Sequence, residues 1–206
     1  MAYRSRSVVF LLVMVFSLAR TVAPQEPANL PADPSAFIRK LYGEVIEYRP
    51  LGILDYEYVG RPNRKILEGG AARRRFMPYL SQSLRHRIAL NDACLKEWYR
   101  RNQNSPVLLK GPVFEGGIFS GSEEHGDPDR FQIEKMQSQP DGSLRAFVRL
   151  SGQIDPPKWD SWNAEVILVR EGDHLVVDDV IYLHDAYDPR DFRLSEILSS
   201  NCKGTR

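Results

Sequence analysis

The hydrophobic period changes part-way along this chain, and few architectures accommodate such a change. In the first half, apolar residues recur at helical spacing. Phe37, Leu41, Val45 and Tyr48 form one stripe, and Leu80, Leu84, Ile88, Leu95 and Trp98 form a longer one that Asn91 interrupts. From Phe131 onward the period falls to two. Leu144, Ala146, Val148 and Leu150 alternate with Arg145, Phe147 and Arg149, and Trp162, Ala164, Val166 and Leu168 repeat the pattern before His174 to Leu183. Turn signals at Pro140-Asp141-Gly142, Pro156-Pro157 and Glu171-Gly172-Asp173 separate these runs. Strands joined by short turns pair antiparallel, and helices that precede them bury their stripes on one face of the sheet. The expected class is therefore α+β, with N-terminal helices packed on a bent antiparallel sheet of about four strands and a short helix near Leu194 to Leu198.

Local punctuation refines this layout. Asp33 is a good N-cap, Pro34 suits the first helical position, and Pro50 ends the first helix. Residues 51–75 combine several Gly and Pro with no clean period and read as an irregular connection. The longer helix is expected to begin near Pro78.

The N-terminus has a different logic. Arg4 and Arg6 precede the apolar run Val8 to Leu18, and the small residues Ala19, Thr21 and Ala23 follow it. That order describes a secretory signal peptide, cleaved after Ala19 or Ala23. The run falls short of the roughly 20 residues a membrane span needs. The first cysteine is Cys94, so no lipid-attachment cysteine follows the run. The expected map is a signal peptide over 1–23, a Pro-rich linker over 24–33 and one domain over 34–206. The mature protein is expected in the periplasm or outside the cell, without stable membrane insertion.

Composition is ordinary. With 206 residues, 42% hydrophobic, 27% charged and a mean hydropathy of −0.39, the chain is neither collagen-like, nor wholly disordered, nor a polytopic membrane protein. A net charge of +1 gives no reason to expect nucleic-acid binding. The charge is unevenly spread, however. Residues 61–101 carry a net +8, and residues 115–196 carry a net −10. Folding of the two halves against each other is the simpler reading, and an acidic face offered to a basic partner is the sharper one.

The sequence carries few motifs of known chemistry. Gly117-Ile118-Phe119-Ser120-Gly121 lacks the first glycine of a nucleophile elbow, so Ser120 is not supported as a nucleophile. His86, His125, His174 and His184 show no metal-ligand spacing, and no metal or cofactor is expected. The acidic run from Glu123 to Asp129 lacks the EF-hand pattern and reads as a solvated loop. Arg73-Arg74-Arg75 reads as a solvated face.

Asp178 and Asp179 are the only weak catalytic candidates. Adjacent strand residues point to opposite faces, so one of the two must point with the apolar set. An inward carboxylate without a partner would make a general base, whereas one paired with Arg145, Arg149 or a backbone amide would be structural. The structural role is the favoured expectation. Trp98, Phe119, Phe147, Trp162 and Tyr182 are the candidates for lining a ligand pocket. Cys94 and Cys202 are expected to form a disulfide, since an exported chain with two cysteines meets an oxidising compartment.

The order of helix, long helix and bent sheet ending in LVVDDVIYL resembles the cone-shaped, cystatin-like folds of the nuclear-transport-factor-two superfamily. DACLKEWYRRN (92–102), GIFSGSEE (117–124), DGSLRAFVRL (141–150), VVDDVIYL (176–183) and LSEILSSNC (194–202) look like an uncharacterised family of exported bacterial proteins, a domain of unknown function. The likeness covers most of residues 34–202. It implies a cone fold and an envelope location but carries over no catalytic residue, and the superfamily includes enzymes, ligand-binding proteins and toxin-immunity proteins. Two functions are therefore weighed. The favoured one is an exported, non-catalytic binding module for a small apolar ligand in the cone or for a protein partner such as a toxin. The alternative is a cofactor-free lyase, isomerase or hydrolase using an inward Asp as general base.

Overall fold

The computed structural model describes residues 31–50, 65–67, 69–104, 117–121, 128–155, 158–183 and 190–200. The signal peptide, most of the linker, Cys202, His125 and His184 lie outside the described residues.

Helix α1 (Pro34–Glu47) begins as its sequence requires. The Asp33 carboxylate accepts a hydrogen bond from the Ala36 amide at 2.7 Å, and Pro34 occupies the first turn, where its missing N–H costs nothing. Phe37, Ile38, Leu41, Tyr42 and Val45 form its buried stripe. The chain then extends into β1 (Tyr48–Pro50), which pairs in parallel with β2 (Lys65–Leu67).

The expected irregular connection over 51–75 is corrected only from Lys65 onward, by β2 and helix α2 (Gly69–Phe76), and residues 51–64 lie outside the described residues. Helix α2 starts on two glycines, carries three arginines, and buries only Ala72 and Phe76. One i,i+4 pair is too little stripe to register as a helical period. The long helix also begins later than Pro78. Met77–Tyr79 forms a single 3-10 turn and Leu80 bridges in parallel to Val177. Helix α3 (Gln82–Asn102) then starts with Ser81 as its N-cap.

Among the described residues the main sheet has five strands in sequential antiparallel order. These are β3 (Arg130–Ser138), β4 (Leu144–Asp155), β5 (Lys158–Glu171), β6 (His174–Tyr182) and β7 (Phe192–Arg193). The fifth strand, of two residues, is too short to announce itself in the sequence. Helix α4 (Leu194–Ser200) follows it directly, and Leu194 and Leu198 enter the core. The fold is α+β, with helices packed on an antiparallel sheet.

Register explains the core. Leu150 faces Trp162, Val148 faces Ala164, and Ala146 faces Val166, which in turn faces Val180. These side chains share one face of the sheet and are all buried with the stripes of α1 and α3. Strand β6 departs from simple alternation. Ile167 pairs with Asp179 but Leu168 pairs with Val177, so Asp178 is an extra residue in a β-bulge. No helix among the described residues is long and apolar enough to cross a membrane.

Candidate functional site

The bulge decides where the two carboxylates go. Asp178, the extra residue, accepts a hydrogen bond from the Ser81 hydroxyl at 2.6 Å. That hydroxyl also accepts from the Leu84 amide at 3.0 Å, and the Ser81 amide donates to the Val177 carbonyl at 2.8 Å. Asp178 thus supports the N-cap of α3 and fixes this helix end to β6. Ser81 is fully buried, so both of its polar groups need these partners.

Asp179 is buried and does the equivalent work for α4. One of its oxygens accepts from the Val180 amide at 2.9 Å and the Ser195 amide at 3.0 Å. The other accepts from the Ser195 hydroxyl at 2.7 Å and lies 3.5 Å from the Arg193 guanidinium. A carboxylate at the start of a helix satisfies amides that have no partner within that helix.

The expected partners, Arg145 and Arg149, are corrected. Both lie on β4, and β5 separates that strand from β6. Arg145 instead pairs with Glu165 at 3.1 Å, across the β4–β5 ladder, and Arg149 is exposed. The third expected partner, a backbone amide, is found in Val180 and Ser195, and the side-chain partners Ser81, Arg193 and Ser195 come from residues that the linear pattern places far from β6.

Of the five pocket candidates, the structure brings three together. The indole of Trp162 donates to the Ser120 carbonyl at 2.6 Å, and the phenol of Tyr182 donates to the Ile118 carbonyl at 3.0 Å. A residue the sequence did not single out for this role, Tyr42 of α1, donates to the Phe119 carbonyl at 2.8 Å. Three aromatic side chains from three elements therefore hold three consecutive carbonyls of one short turn. The turn closes on itself through amides of Ser120 and Gly121 that donate to the Gly117 carbonyl at 3.0 and 2.9 Å.

The turn fills the space between α1 and the sheet. Phe119 is 1% exposed and its ring lies 5.8 Å from that of Phe76. Ile118 and Ser120 are buried beside it. Gly121 has φ +99°, and a Cβ there would lie 3.2 Å from the Tyr182 ring, so only glycine suits the position.

Burial pushes the Tyr42 phenol far above its ordinary value. The same cause raises that of Tyr182, with further contributions from Tyr42 and the charge of Asp179. Both phenols are thereby kept as donors. Tyr79 is also raised, by burial first and then by the charge of Glu44, which forms an ion pair with Arg75 at 3.0 Å.

The other two pocket candidates lie elsewhere. Phe147 points to the opposite face of the sheet, where Lys135 sits 5.6 Å from its ring centre. Trp98 lies near the end of α3 in edge contact with Tyr99 at 5.1 Å. Cys94 is half-buried on α3, and no disulfide is seen among the described residues. His86 and His174 are exposed, and no group of three His, Cys, Asp or Glu among the described residues is placed to hold a metal ion.

The Tyr42 contribution had one available signal, since a buried Tyr needs a partner for its hydroxyl. The acceptors are backbone carbonyls, which carry no sequence identity. No family model matches this chain, and neither a curated protein nor a solved structure matches it significantly.

Proposed function

We propose that this is an exported, non-catalytic binding protein whose partner is another protein rather than a small ligand held between the helices and the sheet. The observation that carries the reading is the occupied aromatic site. The polar ends of Tyr42, Trp162 and Tyr182 are all engaged by the chain's own Ile118–Ser120 turn, and Phe119 fills the space they surround. A small-molecule site needs convergent polar groups with a cavity in front of them. The two carboxylates give no support to the general-base alternative, because each is committed to anchoring a helix N-terminus.

The cone of the resembled superfamily belongs to the same proposal, as do the periplasmic or secreted location and the Cys94–Cys202 disulfide.

The indole N–H of Trp162 is the reporter that tests this reading. In amide and indole NMR spectra, titration with a fatty acid and with an apolar aromatic dye is expected to leave the Trp162 resonance in place. A saturable shift of that resonance at micromolar ligand would instead make the covered face a small-ligand site and overturn the reading.

A further inference from the structure

We propose that the sheet face opposite the core, over β3, β4 and the start of β5, docks an acidic protein surface. This rests on the reading that the partner is a protein, and it names the surface and the charge.

Register assigns the residues. Arg130 faces Ser151, Gln132 faces Arg149, and Arg149 faces Asn163 on β5. Past the bulge at Glu134, Lys135 faces Phe147. These positions alternate with the core residues Leu150 and Val148, so they share the other face. Arg130, Gln132, Lys135, Arg149 and Asn163 are all exposed, and Trp159 at the end of the β4–β5 ribbon is 42% exposed. Arg130 stacks over the Trp159 ring at 4.2 Å.

Charge gives the partner. The segment 115–196 is strongly acidic at net −10, yet Arg130, Lys135 and Arg149 gather on this one face. Among the described residues none of the three has a carboxylate within the ion-pair distance, whereas Arg145, on the same strand and face as Arg149, is consumed by Glu165 opposite Phe147, and Arg193 of β7 by Asp179. Glu134 is the nearest acid in sequence, and it is the bulge residue without a partner on β4. Three uncompensated cations flanking an exposed, guanidinium-stacked Trp and a half-buried Phe make a mixed aromatic and basic surface of the kind enriched at protein interfaces. Arg130 and Lys135 are five residues apart on β3, so the cations span about 15 Å, enough for several carboxylates.

The test uses the mature protein with fluorescein-labelled poly-L-glutamate as the acidic probe, read by anisotropy at low and physiological salt. Saturable binding that weakens with salt is expected for the natural sequence. Lys135→Glu with Arg149→Glu should weaken it at least about tenfold. Arg74→Glu with Lys96→Glu changes the net charge equally on exposed positions of α2 and α3, and should weaken it less than about threefold. Melts of both double variants are expected to match the parent, because all four positions are exposed.

Four outcomes would overturn the proposal. They are no probe binding at low salt, equal loss in both double variants, binding of heparin but not of the acidic polypeptide, and self-association abolished by the β-face variant alone. Each leaves the Trp162 readout untouched, so failure here is distinguishable from failure of the protein-partner reading.

Discussion

Ser81 and Asp178 are joined through a hydroxyl that works in two directions, donating to the carboxylate at 2.6 Å while accepting from the Leu84 amide at 3.0 Å. One side chain thus caps α3 and ties it to the bulge of β6. Ser81→Ala is expected to remove both bonds. Loss of an N-cap costs about 1 kcal/mol, and an acceptor left without its donor costs about 1–3 kcal/mol. At roughly 2–4 °C per kcal/mol for a domain of this size, thermal unfolding should fall by several degrees. A melting temperature within a degree of the parent would show that the contact contributes little.

The aromatic grip on the Ile118–Ser120 turn gives a second prediction. Tyr42→Phe leaves the shape intact but deprives the buried Phe119 carbonyl of its donor, at a cost of about 1–3 kcal/mol. Gly121→Ala should be worse, combining positive φ with a 3.2 Å approach to Tyr182, at about 1–3 kcal/mol from backbone strain alone. Urea unfolding of the two variants measures both. A Gly121→Ala protein as stable as the parent would contradict the described turn.

Alkaline pH should destabilise the protein in a defined way. Tyr42, Tyr79 and Tyr182 all have phenol pKa values raised by burial. The folded state therefore keeps protons that the unfolded state releases above about pH 10. Stability from these groups is fully present below the unfolded phenol value and is lost as pH rises above it, by up to about 1.4 kcal/mol per pH unit per tyrosine. Urea melts between pH 8 and about pH 11 should show a level plateau and then a decline. In the folded protein, phenolate absorbance from these three residues should appear only with unfolding. Glu97 titrates at the other extreme, held at about 2 by hydrogen bonds from Arg100 and Arg101, but these pairs lie at the solvent-screened surface of α3 and should contribute little to stability.

The cysteine pair gives a prediction that rests on the compartment expected for an exported chain, where two cysteines are oxidised. A disulfide would close a loop of about 100 residues, worth up to roughly 4–5 kcal/mol in the chain-entropy model. Non-reducing peptide mapping of the exported protein should find Cys94 linked to Cys202. Two alkylatable thiols would contradict the linkage.

The elements that announced themselves are those whose pattern is long. The stripes of α1 and α3 and the alternation of β4 and β5 each extend over several residues, and burial follows them closely. Helix α2 and strand β7 were illegible because two buried residues, or two paired ones, make no period. The site was legible only as a set of residue types. Parity along β6 placed Asp179 with Val177, but the bulge at Asp178 breaks that parity, and a single inserted residue leaves no mark on composition or spacing. Of the five aromatics expected to line a pocket, Trp162, Tyr182 and Phe119 meet at one turn, while Trp98 and Phe147 lie elsewhere. What those three converge on is their own backbone turn, and backbone acceptors look alike at every position.

The claim most central to this account is that the Asp178–Asp179 pair holds two helices to the sheet rather than performing acid–base chemistry. Thermal melts of Asp178→Asn and Asp179→Asn test it most directly. Asp179→Asn should cost about 1–3 kcal/mol, because one oxygen that accepts from Ser195 and faces Arg193 becomes a donor or the pair must rearrange. Asp178→Asn keeps one acceptor for Ser81 and should cost less, about 1 kcal/mol. Lowered melting temperatures in that order are the predicted result. Unchanged or raised melting temperatures for both variants would contradict the structural role and return the pair to candidacy as a general base.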